Sequence, residues 1–153
     1  ANVGDQTVAA SLLEPGWVDT IPAGRPTMAF ADGLVAFLDE AEAIAIVREI
    51  AGHFNSGVIA FNDYGPVSKA NQLIGGLATS RKANSPHSQW RFRGFKNARH
   101  PESWHNGLAL IEEVSALQQP EAQLFPAGLR VASRLSRRLP AIARKSRILQ
   151  YRF

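Results

Sequence analysis

The stretch RPTMAFADGLVAFLDE, residues 25–40, carries the decision about the fold. An apolar run from Thr27 to Ala31 stops at a lone acid, Asp32. Gly33 follows, and a helix start is marked at Asp39. A continuous apolar run of this length predicts a strand covered on both faces. A carboxylate at the carboxyl end of such a strand, in a strand–loop–helix unit, stands where open α/β sheets place their ligands. Residues 1–24 hold no glycine-rich turn able to cradle the rest of a nucleotide-type ligand. The chain therefore reads as the second half of a binding fold.

Outward from this stretch the pattern continues. Asp39 with Glu42 three positions later forms a capping-box signature. Ile44, Val47, Ile50, Ala51 and Phe54 follow at helical spacing. Asn55-Ser56-Gly57 ends that helix, and Val58 to Phe61 reads as a second strand finishing at Asn62, Asp63 and Tyr64. Strand, helix and strand in this order form a crossover unit with parallel strands and a right-handed connection.

The flanks are read more coarsely. Upstream, a short helix is expected around Gln6 to Glu14 and a turn around Trp17 to Thr20. Downstream, Pro66 to Leu77 reads as a helix with proline in its first turn, residues 79–100 as a long loop or lid, and Pro101 to Trp104 as a helical turn. Leu108 to Ala116 and Ser146 to Phe153 read as strands, the latter with Leu149, Tyr151 and Phe153 on one face. Between them, Pro126 to Arg138 reads as an amphipathic helix with Leu129, Val131, Ala132, Leu135 and Leu139 toward the core. The expected fold class is α/β in one domain of 153 residues, with a parallel pair and an antiparallel carboxyl-terminal pair.

Composition narrows the chemistry. No cysteine is present, so disulfides, thiolate metal sites and cysteine nucleophiles are excluded. The longest apolar stretch, Met28 to Leu38, is interrupted by Asp32 and is too short to span a bilayer. No basic-then-apolar leader opens the sequence, and a cytoplasmic setting is the expectation. The net charge of +4 hides an asymmetry: residues 1–63 balance at −7 and residues 64–153 at +11. Beyond Glu121 there is no acid, while Arg130, Arg134, Arg137, Arg138, Arg144, Lys145, Arg147 and Arg152 follow. That half could meet nucleic acid or an acidic partner, or it could be the solvated face of a helix.

Asp32 is the leading candidate for ligand chemistry. It could hold an ammonium or hydroxyl of a ligand, or cap its own loop through the backbone around Gly33. Asn62, Asp63 and Tyr64 would lie beside it if the two strands are neighbours, or form a surface turn with Gly65 and Pro66. The histidines His53, His87, His100 and His105 lack metal-ligand spacing, and no metal site is expected. Gly75-Gly76 lies within an expected helix and is not a phosphate loop. Trp90, Phe92 and Phe95 alternate with Arg91, Arg93 and Lys96. Such interleaving could stack on single-stranded nucleic acid, or tuck the rings under the fold and leave the basic groups wet.

RPTMAFADGLVAFLDEAEA, HFNSGVIAFNDYG, PESWHNGLALIEE and PAGLRVASRLSRRLPAIARKSRILQYRF, in this order, resemble the carboxyl-terminal half of S-adenosylmethionine-dependent O-methyltransferases. They are similar to the leucine carboxyl methyltransferase group and its bacterial relatives in polyketide tailoring. The resemblance implies a Rossmann-like class I methyltransferase sheet and methyl transfer from S-adenosylmethionine to a carboxylate or hydroxyl of a small molecule. It implies that Asp32, with Gly33 behind it, contacts the methionine part of the cofactor, that Asn2 stands where an acid commonly holds the adenine, and that Tyr64 borders the substrate. No catalytic residue is assigned. It also implies that the cofactor loop and ribose-binding acid fall before position 1, so the chain would be a fragment, a truncated frame or one piece of a split protein. A second copy or a separate amino-terminal half is then expected to cover the sheet edge. The rival expectation is a non-catalytic module binding nucleic acid or an acidic partner through the basic half. Against nucleic acid, the arginines fall on one helix face rather than around a groove.

Overall fold

A computed structural model describes residues 7–63, 91–92, 94–124, 127–139 and 146–153. Its centre is a four-stranded mixed sheet in the order β1-β2-β4-β3. Strand β1 is Thr27–Ala31, β2 is Gly57–Asp63, β3 is Ala109–Ser115 and β4 is Arg147–Arg152. β1 and β2 are parallel, with Thr27 opposite Gly57 and Ala31 opposite Phe61. β4 runs antiparallel to both β2 and β3, with an irregularity between Leu110 and Glu112. The α/β class and both strand pairings agree with the sequence reading.

Helix α1, Glu40–His53, joins the parallel strands and opens as its sequence dictates. The Asp39 carboxylate accepts from the Glu42 amide at 2.9 Å, and the Glu42 carboxylate accepts from the Asp39 amide at 2.8 Å. Two donors that the helix itself leaves unpaired are thereby satisfied. Ala43, Ile46, Val47, Ile50 and Ala51 are its buried residues, whereas Ile44 is only half-buried. Ala43, Ile46, Val47 and Ile50 share one core cluster with Ile59, Phe61, Leu149 and Tyr151 from the sheet. Each fully buried Val, Leu or Ile contributes roughly 1.5–3 kcal/mol from the area withdrawn from water.

Segment 94–108 completes this layer. Phe95 packs against Phe61, Phe92 and Trp104 with ring centroids 6.0, 4.7 and 5.5 Å apart. Arg48 Nε donates to the Trp104 carbonyl at 2.6 Å, tying α1 to the turn at His100–Ser103. The Tyr151 hydroxyl donates to the Ala98 carbonyl at 2.6 Å, and burial pushes this phenol above its ordinary value.

Three expectations are corrected. Residues 7–14 form no helix: the Leu13 amide turns back onto the Ser11 hydroxyl and the Glu14 amide onto the Ser11 carbonyl, a local alternative to helical pairing. Among the described residues β1 is covered on one face only. Its residues alternate half-buried and exposed, and Met28 and Phe30 are 68% and 59% exposed. Apolar composition records what a strand could bury, not how many layers enclose it.

The third correction concerns helix α2, Ala127–Ser136. Val131, Leu135 and Leu139 point away from the core and are exposed, while Ser136 is buried. The expectations for Leu129 and Ala132 fall outside the described side chains. The Ser136 hydroxyl donates to the Ser133 carbonyl at 2.7 Å, and Gln118 Nε2 donates to the Ser136 carbonyl at 3.2 Å. The first bond is internal to the helix, and the second ties its end to Gln118 in the segment before it. The expected helix at Pro66 to Leu77 and residues 79–90 of the loop lie outside the described residues.

Gly57 shows how tightly the parallel pair closes on the chain terminus. Its amide and carbonyl exchange hydrogen bonds of 3.1 Å with Phe153. A Cβ there would collide with the Thr27 carbonyl and the Phe153 ring. Gly57→Ala is expected to cost about 1–3 kcal/mol, the usual penalty of overpacking. A urea titration checks this, and an unchanged midpoint would contradict the close approach.

Candidate functional site

The carboxyl ends of the two parallel strands bring Asp32 and Asn62 together. Because Ala31 lies opposite Phe61, the next residue of each chain falls on the same side of the sheet. Asn62 Nδ2 donates to Asp32 Oδ1 at 2.6 Å. Asp32 itself is exposed, and Gly33 behind it takes a left-handed backbone, φ 73°, that suits glycine. The described hydrogen bond on the Asp32 carboxylate comes from a neighbouring strand, not from the backbone around Gly33. The acid is thus oriented across the strand ends rather than used to cap its own loop.

Asn62 spends its amide N–H on Asp32 and keeps its own carbonyl Oδ1 buried without a hydrogen-bond partner. An unsatisfied buried acceptor costs about 1–3 kcal/mol. The exposed group at the strand ends is the Asp32 carboxylate, an acceptor that a ligand with several N–H donors would match. An ammonium group carries three such donors and no acceptor. Acceptor chemistry of this kind is compatible with the amino-acid end of S-adenosylmethionine.

Asp63, one residue on, faces the opposite side and belongs to different chemistry. It is buried, accepts from Arg147 Nε at 2.7 Å and accepts from the Phe95 amide at 3.2 Å. Arg147 also donates to Glu113 Oε1 at 2.6 Å and to the Phe95 carbonyl at 2.6 Å. Burial works to lower the Arg147 guanidinium. Its hydrogen bonds to Glu113 and Asp63, with their charges, outweigh burial and raise it above its ordinary value. This clamp joins β2, β3, β4 and the Phe95 segment next to the Asp32–Asn62 pair. The sequence reading missed it, although one signal was present: Arg147 shares its strand face with Leu149 and Tyr151, so a cation was due on a buried face.

The remaining candidates separate. Asn2 and Tyr64 lie outside the described residues. Arg91 pairs with Asp39 at 2.7 Å and Glu42 at 3.0 Å, and the Arg91 and Phe92 amides both donate to the Ala36 carbonyl. Phe95 is buried and Phe92 half-buried, so the described part of the aromatic–basic alternation tucks its rings under the fold. His100 Nε2 lies 2.6 Å from Glu40, and His53 Nε2 lies 2.7 Å from the Ile21 carbonyl. Among the described residues no group of three or more His, Cys, Asp or Glu is placed to hold a metal. No helix of the described residues is long and apolar enough to cross a membrane.

An apolar cleft of about 430 Å³ runs along β1 and α1 and reaches Ala31 and Leu34, on either side of Asp32. Trp17 and Trp104 contribute to its wall, and both indole N–H groups are buried without an acceptor. Neither Asp32 nor Asn62 lines this cleft: it lies on the α1 side of the sheet, whereas the pair faces the other side.

Comparison with known proteins follows the same direction. Over 155 aligned residues the chain is 29% identical to the tetracenomycin polyketide synthesis O-methyltransferase TcmP of Streptomyces glaucescens. The alignment takes in 98% of this chain and 53% of TcmP, so the chain spans about half the length of this curated relative. No family model matches the chain. The similarity to TcmP runs along nearly the whole chain and supports a relation to O-methyltransferases.

Proposed function

We propose that the chain takes part in S-adenosylmethionine-dependent methyl transfer to an oxygen of a small molecule, of the polyketide class named for TcmP. The observation that carries this reading is the Asp32–Asn62 pair at the ends of adjacent parallel strands, with its exposed carboxylate. Asp32, oriented by Asn62, would receive the ammonium of the donor, and the left-handed turn at Gly33 would let the backbone pass close by. When bound, the cofactor supplies an electrophilic methyl group.

What the protein has to add is chiefly alignment of donor and acceptor. A carboxylate acceptor needs no general base, and a hydroxyl acceptor would benefit from one. Asn2 toward the adenine and Tyr64 toward the acceptor complete the proposed site. Isothermal calorimetry of this chain with S-adenosylmethionine, alone and with the amino-terminal portion of TcmP supplied in trans, tests the reading. Saturable binding in either arm is the expected result, and none in both would refute it.

The reading extends to assembly. Met28 and Phe30 leave a large apolar area of β1 in water, and an exposed apolar edge strand invites pairing. A second copy of the chain is proposed to cover it. Sedimentation at micromolar concentration should show a species larger than the monomer, and a monomer throughout would rule this out.

A further inference from the structure

The structure points to a second ligand site: we propose that the groove between residues 120–124 and α2 binds a phosphate-bearing ligand. The groove measures about 380 Å³ and is lined by Ala122, Gln123, Arg130, Ser133, Arg134 and Arg137. It belongs to the segment after β3, the strand at one edge of the sheet, whereas Asp32 follows β1 at the other edge. It is therefore independent of the methyl-transfer reading.

Three observations build the site. First, Arg130 and Arg134 lie four apart on one face of α2, and Arg137 follows in the turn directly after it and lines the same groove. Like charges so placed repel and destabilise a helix, so the arrangement calls for an anion. Second, none of the three has an ion-pair partner among the described residues, whereas Arg91, Arg99 and Arg147 all have one. Glu121, the last acid of the sequence, does not line the groove. Third, the walls are fixed: Ala122 and Ser136 are each 2% exposed, and Gln118 holds the Ser136 carbonyl.

The lining chooses the ligand chemistry. A guanidinium offers five donors in a planar fork that matches phosphate oxygens, and it stays charged at any pH the protein meets. Three of them balance a phosphate dianion or a pyrophosphate better than a single carboxylate, with the Gln123 amide and Ser133 hydroxyl as neutral partners. A concavity of this size seats one or two phosphate groups, not a duplex. The sequence placed these arginines on a helix face; the fold gives that face an opposite wall.

Calorimetry on the full chain with inorganic pyrophosphate at low salt tests the proposal, with circular dichroism confirming that each variant is folded. One saturable site is expected, weakened about tenfold in Arg134→Gln and more in the Arg130→Gln, Arg134→Gln pair. Arg152→Gln, an equal loss of charge at the exposed end of β4, should change affinity less than about twofold. A second arm uses vesicles containing phosphatidic acid: binding that pyrophosphate displaces identifies a lipid headgroup as a source of the same phosphate. Absence of saturable pyrophosphate binding, an equal loss in Arg152→Gln, or tight binding to a single-stranded oligonucleotide that pyrophosphate does not displace would overturn the proposal.

Discussion

Arg147→Met is expected to destabilise the chain by about 3–5 kcal/mol, the cost of breaking a buried ion pair by removing one partner. At roughly 2–4 °C per kcal/mol for a domain of this size, the melting temperature should fall by about 6–20 °C. The side chains of Arg147 and Asp63 are only 2% and 1% exposed, so water cannot replace the lost guanidinium. The Phe95 carbonyl loses its donor at the same time. Arg147→Lys, which keeps the charge but not the planar fork, should fall between wild type and methionine. Thermal unfolding followed by circular dichroism is the measurement. A melting temperature unmoved by the methionine change would show that the clamp does not hold the sheet to the Phe95 segment.

Asp32→Ala should act on binding and leave the fold alone. Asp32 is exposed, and surface changes of this kind usually alter stability by less than about 0.5 kcal/mol. If the carboxylate receives an ammonium, its loss removes a charge-assisted hydrogen bond. That is about 1.5–3 kcal/mol, or roughly ten- to a hundredfold in affinity for S-adenosylmethionine. Asp32→Asn keeps the shape and should recover only part of the loss, because the attraction between charges is gone. Calorimetry on the assembly that binds the donor separates these outcomes. Equal affinity in wild type and Asp32→Ala would remove Asp32 from the site while leaving the fold argument intact.

The parallel unit was legible in the amino-acid order because its determinants are local. An apolar run, an acid-glycine stop, a capping box from Asp39 to Glu42 and a second apolar run are read within residues 27–63. Each acts through contacts a few positions apart, and the structure places them as read. The pairing of Asp32 with Asn62 followed once the strands were taken as neighbours, since residues that directly follow paired positions share a side. The separation of Asp63 from that pair follows from the same alternation, applied one residue further.

Other features depended on contacts that no local pattern encodes. Arg147 meets Asp63 across 84 positions, and their pairing exists only because β4 inserts between β2 and β3 in one register. Met28 and Phe30 have the composition of a doubly covered strand, yet the described sheet has its core on the other face. The arginines of α2 formed a stripe in the sequence and became a groove only against residues 120–124. Within residues 27–63 the sequence by itself determined which segments become strand and helix, because backbone propensity, capping and periodicity act over a few residues. The tertiary structure alone decided which faces are covered and which charges meet. Those are set by packing between segments far apart in the chain, and side-chain polarity limits that packing without specifying it.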